Sequence, residues 1–379
     1  MTDPATAAPT AVVHGINPPG SERVRTLMAA NLASGADLGA SYAVTRDGEM
    51  IVDLWGGWAD VARTRPWERD TIVNVWSTTK TMTALCALML ADRGRIDFSA
   101  PVATYWPEFA QNGKEGVTVA HLMSHTAGLP TWREPVTRQD LYDWSKVTRM
   151  LAEQAPRWEP GTQAGYHAIT QGYLVGEVVR RVDGRSLGTF FREEIAEPLG
   201  ADFHIGLPAG EDARVAEMIP PPRPPADAKP GNPPVDPTDT ATRAWRGAEI
   251  PAAGGTGNAR AVAAIHAILA NGGEAGGRRF LSEAGVRRAL EVQFEGTDRV
   301  LGMPARYGLG FGVGGGKTLI PFPHADSIYW GGWGGSLALI DLEARTSFAF
   351  VMNRMAGGTT GDTRAIGLAM ATWEALRPS

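Results

Sequence analysis

With 379 residues, 43% hydrophobic and 20% charged, the chain has the makeup of a globular protein large enough for two domains or one two-lobed enzyme. A net charge of −5 supplies no overall attraction to nucleic acid or anionic lipid, and a single cysteine, Cys86, excludes an intrachain disulfide. The opening MTDPATAAPTAVVHGINPPG lacks the basic start and apolar core of a secretory signal, and the longest apolar run, ALCALMLA, is too short to span a bilayer, so the reading is a cytoplasmic protein with neither membrane nor nucleic acid as partner.

Residues 21–34, SERVRTLMAANLAS, carry apolar positions at helical spacing behind a Ser21 cap. SYAVTRDGEMIVDLWGG (41–57) follows as a hairpin, with two β-rich runs around the turn pair Asp47-Gly48. Helices are expected at 77–93, 117–124, 138–154, 170–183 and 186–196, punctuated by Pro130, Pro160-Gly161 and Gly184. Cys86 lies among Leu85, Leu88 and Met89 in the first of these, as a core thiol. The stretch 219–237 includes PPPRPPADAKPGNPPVDP, too rich in proline for helix or central strand. It reads as an extended surface linker, with a loop draped over a cleft as the sharper alternative. ARAVAAIHAILANGG then forms a helix closed by Gly272-Gly273. SLALIDLE (336–343) and TSFAFVMN (346–353) form strands joined by a tight turn, and a last helix covers 363–376. Strand-forming runs at both ends imply a discontinuous α/β fold of the α+β type. Residues 1–72 and 250–379 share one antiparallel sheet flanked by helices, and 73–249 form an inserted, mostly helical lobe carrying the loop 219–237.

One short motif carries chemistry. In NVWSTTKTMTALCALML (74–90), Ser77 stands at the start of a helix with Lys80 three residues on, on the same face. A helix start offers free N–H groups and the positive dipole end to a developing oxyanion. Burial of Lys80 would lower its pKa and let the neutral amine take the serine proton. The competing reading is a plain capped helix. The chain has only five lysines, and chance alone supplies about 0.2 Ser-x-x-Lys pairs, so the motif needs partners.

Two partners follow. PGTQAGYHA (160–168) places Tyr166 after a Pro-Gly-Thr turn, and YWGGWGGSLALIDLE (329–343) places Trp330-Gly331-Gly332 before a strand. In order and separation these resemble the Ser-x-x-Lys, Tyr-x-Asn and Lys-Thr-Gly motifs of the serine β-lactamase and penicillin-recognising superfamily. IDFSAPVATYWPEFAQNGKEGVTVAHLMSHTAGLP and EEIAEPLGADFHIGL are similar to it as well. The resemblance runs from about residue 20 to the end and is strongest to the family VIII carboxylesterases, which share the class C β-lactamase fold. It implies an acylated nucleophile at Ser77, with general-base and general-acid work shared by Lys80 and Tyr166 in undecided proportion. It also implies an oxyanion hole from the backbone N–H groups of Ser77 and Trp333. The three side chains would meet on one glycine-lined edge strand.

The departures narrow the substrate. The second motif is Tyr166-His167-Ala168, so Ala168 stands where a β-lactamase has an amide. Trp330 stands where it has a cation, offering one N–H and no positive charge. Both changes suit a neutral ester as small-molecule substrate. Trp330, Gly331, Gly332, Trp76, Ala168, His167 and Tyr329 are the candidate substrate-binding residues, and Trp132 and Trp333 could also line an acyl pocket. Tyr105 and Tyr173 read as structural. The expected activity is ester hydrolysis through an acyl-enzyme without cofactor or metal. The alternatives are a related acyl-transfer enzyme (β-lactamase, amidase, D-aminopeptidase or transacylase) or a penicillin-binding module that acylates and stalls. The oligomeric state stays open, a homo-oligomer included.

Other signals carry less. Gly184-Arg185-Ser186-Leu187-Gly188 matches Gly-x-Ser-x-Gly, but a helix precedes it where a nucleophile elbow needs a strand, so Ser186 reads as a helix cap. His121 and His125 are spaced i, i+4 without the glutamate of a zinc-protease helix. His324 could reach the cleft but reads as a loop residue. GKTLI (316–320) lacks the spacing of a phosphate-binding loop.

Overall fold

A computed structural model describes residues 12–222, 231–316 and 320–377. Its frame is a nine-stranded antiparallel sheet. In chain order the strands are β1 (Val13–Ile16), β2 (Gly39–Arg46), β3 (Glu49–Gly57), β4 (Phe294–Thr297), β5 (Pro304–Tyr307), β6 (Gly312–Val313), β7 (Ser327–Gly331), β8 (Leu337–Asp341) and β9 (Thr346–Met352). Their spatial order is β1-β3-β2-β9-β8-β7-β6-β5-β4. The join between the chain ends is β2 against β9, in register from Ala40↔Met352 to Arg46↔Thr346. The helices of ten residues or more are α1 (Glu22–Ala33), α2 (Thr79–Asp92), α3 (Trp144–Glu153), α4 (Thr170–Asp183), α5 (Ala259–Ala270) and α6 (Thr363–Leu376).

Strand alternation sends neighbouring side chains to opposite faces. Ser41 accepts from the Ala259 N–H and Ser347 donates to Ala263 O, so their face carries α5. Tyr42 bonds Thr372 and Phe348 packs on Trp373, so the other face carries α6. Covered on both sides, β9 is buried from Thr346 to Met352, which is why it reads as an apolar run without alternation. At the 41–57 hairpin Asp47 and Gly48 both take positive φ (51° and 83°), the mirror-type turn whose twist matches the strands.

Several elements differ in detail from the sequence reading. Ser21 precedes α1 but makes no cap bond, because its hydroxyl donates to Pro18 O instead. The expected helix 138–154 breaks at Asp143, whose carboxylate caps Lys146 N–H and restarts the chain as α3. The expected helix 186–196 is an α-turn, Leu187–Phe191, followed by a π-turn, Arg192–Ala196. β1, β4, β5 and β6 give little sequence signal, being short, glycine-containing or, in β5, opened by Pro304. The strand carrying Trp330 is not an edge strand, since β7 lies between β8 and β6. β6 pairs it only at Ile328 and Tyr329, however, leaving Trp330 and Gly331 with a partner on one side alone.

A small three-stranded sheet pairs Thr256–Gly257 with Val73–Asn74 on one side and Phe203–His204 on the other. Residues 1–11 and the centre of the proline-rich stretch, 223–230, lie outside the described residues. The stretch's far end is anchored: Asn232 donates to Trp132 O and Glu134 O and accepts from Val136 N–H. No described helix is long and apolar enough to cross a membrane.

Candidate active site

Ser77 lies in a 3-10 turn, Trp76–Thr78, just ahead of α2. Its side chain caps nothing, which removes the plain capped-helix reading. Trp76 carries φ = 50°, a left-handed conformation costly for so large a residue. The surrounding chain holds the turn in place. Val75 N–H donates to Gly255 O, and Thr79 Oγ1 accepts from Gly255 N–H while donating to Trp76 O. Asn74 donates to Ala253 O and accepts from the Trp245 indole. Trp76 packs edge-on to Trp333 and against Trp245 and is 2% exposed, so it supports the turn from behind.

Lys80 has no exposed surface. Its Nζ lies 3.1 Å from Ser77 Oγ, 2.7 Å from Ala168 O and 2.9 Å from Ala252 O. Burial, with no carboxylate among these partners, holds its pKa well below the usual lysine value. Tyr166 OH lies 2.6 Å from the same Ser77 Oγ. Burial pushes its phenol up to about 12, reinforced by the Asp298 carboxylate and opposed by hydrogen bonds to Ser77 and Trp330.

Gly332 sits against the Ser77 turn. A Cβ there would lie 2.3 Å from Val75 O, 2.2 Å from Ser336 Oγ and 3.3 Å from Ser77 N, so only glycine permits the approach. Ser336 Oγ donates to Val75 O at 2.7 Å and meets Thr78 Oγ1 at 3.0 Å, bonding the start of β8 to the turn. Among the described residues, neither Ser77 N–H nor Trp333 N–H finds a protein acceptor.

Beside Tyr166 opens a small crevice of about 40 Å³. Trp330, Gly331 and Tyr329 line it, together with Tyr307 and the hairpin between β4 and β5. Ala168 is exposed and contributes its carbonyl to Lys80. His167 does not reach the crevice. It is fully buried, with Nδ1–H donating to Gly165 O and Nε2 accepting from Leu129 N–H. Burial lowers its pKa to about 4, so it stays a neutral brace. Trp132 is also a core residue, donating to Val147 O and packing on Tyr173. His324 bonds Asp341 below the opposite end of β7, and that carboxylate raises its pKa.

Four participants escaped the sequence reading. His125 stacks on Trp330 and meets Tyr166 and Tyr307 edge-on, with Nδ1 accepting from His167 N–H. Asp298, fully buried, accepts from Tyr307 OH and from Val300 and Leu301 N–H. Ala252 and Ser336 act as described above. His125 was discounted with His121 as a metal pair, and nothing in the local sequence marks Asp298 or Ser336. His121 closes a capping box with Thr118, and Ser186 caps Thr189 N–H. No group of three or more metal-ligating side chains occurs among the described residues.

Comparison with known proteins agrees with this architecture. Residues 24–371 match the Beta-lactamase family. The chain is 40% identical over 350 residues to the Esterase/beta-lactamase LipL of Mycobacterium tuberculosis, covering 84% of this chain and 77% of that one. A crystal structure of a family VIII carboxylesterase superposes with a TM-score of 0.91 at 44% identity, over 96% of this chain and all of the other. EstA from Arthrobacter nitroguajacolicus superposes with a TM-score of 0.84 at 30% identity, over 96% of this chain and 98% of that one. With the family matched across nearly the whole chain, and the Ser77 hydroxyl, the buried Lys80 amine and the Tyr166 phenol in one place, this protein belongs to the beta-lactamase family.

Proposed function

We propose that the protein is a serine carboxylesterase that works through an acyl-enzyme on Ser77. The observation that carries this is the double contact on one hydroxyl, Lys80 Nζ at 3.1 Å and Tyr166 OH at 2.6 Å from Ser77 Oγ. A neutral amine has two N–H groups and one lone pair. The two carbonyls of Ala168 and Ala252 take the N–H groups, and the lone pair is left for the Ser77 proton.

On attack, the Ser77 proton passes to Lys80 as Oγ bonds the ester carbon. The carbonyl oxygen becomes an oxyanion, for which the Ser77 and Trp333 N–H groups are the available donors. The leaving alkoxide takes the Tyr166 proton, and the phenolate recovers one from the Lys80 ammonium. Deacylation reverses these roles. Tyr166 hands its proton to Lys80, the phenolate takes one from the incoming water, and Lys80 returns one to Ser77 as the acid departs.

The crevice supports esters over anionic lactams. None of the side chains lining it carries a charge, and Trp330 offers a neutral indole in place of a cation for a substrate carboxylate. The relatives named above include two called esterases. Ser77→Ala is expected to abolish hydrolysis of p-nitrophenyl butyrate while leaving the thermal unfolding curve in place, and wild-type turnover should favour that ester over nitrocefin. Ester turnover persisting in Ser77→Ala would overturn the assignment.

A further inference from the structure

We propose that the crevice beside Tyr166 holds the alcohol half of the ester and selects uncharged, apolar alcohols. The proposal rests on the hydrolase reading above and adds which half of the substrate the enzyme measures.

The first step is to ask which group can protonate the leaving oxygen. Lys80 has no exposed surface and is enclosed by the Ala168 and Ala252 carbonyls behind Ser77, so it cannot touch a departing alcohol. Tyr166 keeps an exposed edge and lines the crevice, and its hydroxyl is already on Ser77 Oγ. In the tetrahedral intermediate the leaving oxygen and Ser77 Oγ share one carbon, so they stand closer together than a hydrogen bond is long. A phenol bonded to one can swing onto the other. The leaving oxygen therefore faces Tyr166, and the carbon chain attached to it extends into the space that Tyr166 borders.

That space has a defined character. Tyr307, Tyr329 and Trp330 line it together with Leu301, Met303 and Ala305 of the β4–β5 hairpin. Two threonines, Thr359 and Thr360, are its only side chains with an aliphatic hydroxyl. Such a surface gains from burying hydrocarbon and aromatic faces and offers nothing to a carboxylate or ammonium group. The hairpin wall is also fixed relative to the acid. Arg299 N–H donates to Ala164 O, two residues from Tyr166, and the buried Asp298 carboxylate clamps the hairpin tip through Val300 and Leu301 N–H while accepting from Tyr307 OH. The hairpin and the proton donor are therefore bonded into one unit, against which the alcohol packs.

The test uses two ester series on the full-length protein. In one, the acyl group is butyrate and the alcohol runs from methyl through ethyl to cyclohexylmethyl and benzyl. In the other, the alcohol is ethyl and the acyl group runs from acetate to phenylacetate. In the wild type kcat/KM is expected to rise roughly tenfold or more from ethyl to benzyl butyrate. Ala305→Trp, which fills the crevice from the hairpin side, is expected to lower the benzyl-to-ethyl butyrate ratio by roughly tenfold. The phenylacetate-to-butyrate ratio of the ethyl esters should stay within about twofold. Met303→Trp serves the same purpose should Ala305→Trp fail to fold. A flat alcohol series, or a filled crevice that penalises bulky acyl groups instead, overturns the proposal while leaving a Ser77-dependent esterase intact. Ester hydrolysis that does not depend on Ser77 would remove the underlying reading as well.

Discussion

Lys80 gives its three hydrogen-bond positions to Ser77 Oγ, Ala168 O and Ala252 O, and none of these is charged. Two consequences follow from its lowered pKa. As the proposed base it must be neutral, so kcat/KM should rise with pH along an acid limb set by Lys80. It should show no basic decline until Tyr166 begins to ionise near 12. A pH–rate profile on a neutral ester checks both, and a bell centred near neutrality would contradict them. The same shift acts on stability. The unfolded lysine holds its proton up to about pH 10.4, whereas the folded one loses it earlier. Between those limits the unfolded state binds more protons, so stability rises with pH. Relative to Lys80→Met, the wild type should gain up to ~1.4 kcal/mol per pH unit in that window, measurable by urea unfolding at two pH values. Tyr166→Phe keeps the ring packed against His125 but removes the proposed acid, and should lower kcat by roughly 10²- to 10⁴-fold without a comparable loss of stability.

Helix α2 by spacing alone puts Lys80 near Ser77, but the turn before it sets the direction of the hydroxyl. That turn depends on strand β8, to which Ser336 bonds it. Because Ser336 donates to Val75 O, Thr78 must donate to Ser336. Ser336→Ala removes both bonds and should cost about 1–3 kcal/mol of stability. It should also lower kcat by roughly 10- to 100-fold through misplacement of Ser77. A variant that loses stability but keeps its kcat would show that the bond packs the turn without aiming it. At this level the hairpin of β2 and β3, the helices α2, α4 and α5 and the pair β8–β9 were legible from periodicity and turn pairs. The π-turn after Phe191 and the break at Asp143 were not, because side-chain capping and packing override an otherwise continuous helical pattern.

Across the molecule, the two chain ends meet at a buried ion pair. Arg364 at the start of α6 donates to Asp37 Oδ1 at 2.6 Å and to Gly334 O at 2.7 Å, just past Trp333. With Asp37 1% and Arg364 8% exposed, Asp37→Ala leaves a guanidinium buried with one partner fewer and should cost about 3–5 kcal/mol of unfolding free energy. Chemical denaturation measures this. A loss below ~1 kcal/mol would mean that Asp362, which accepts from the same guanidinium at 2.6 Å, and the carbonyls of Ala36, Gly334 and Arg354 satisfy the arginine without Asp37.

What could be known from the residues alone was what local chain geometry controls: the Ser77–Lys80 spacing, the alternating and apolar strands, the turn pairs, and the three motifs whose order carries the family. What needed the folded molecule was everything set by distance across the chain or by loss of water. Tyr166 meets Ser77 across 89 residues, His167 belongs to the core, and the Trp330 ring packs against Tyr166. Asp298 and the β4–β5 hairpin enter the site from a segment with almost no pattern of its own. Covalent spacing fixes neighbours within a turn or a strand, whereas desolvation, and with it the protonation of Lys80, belongs to no residue until the rest of the chain has closed around it.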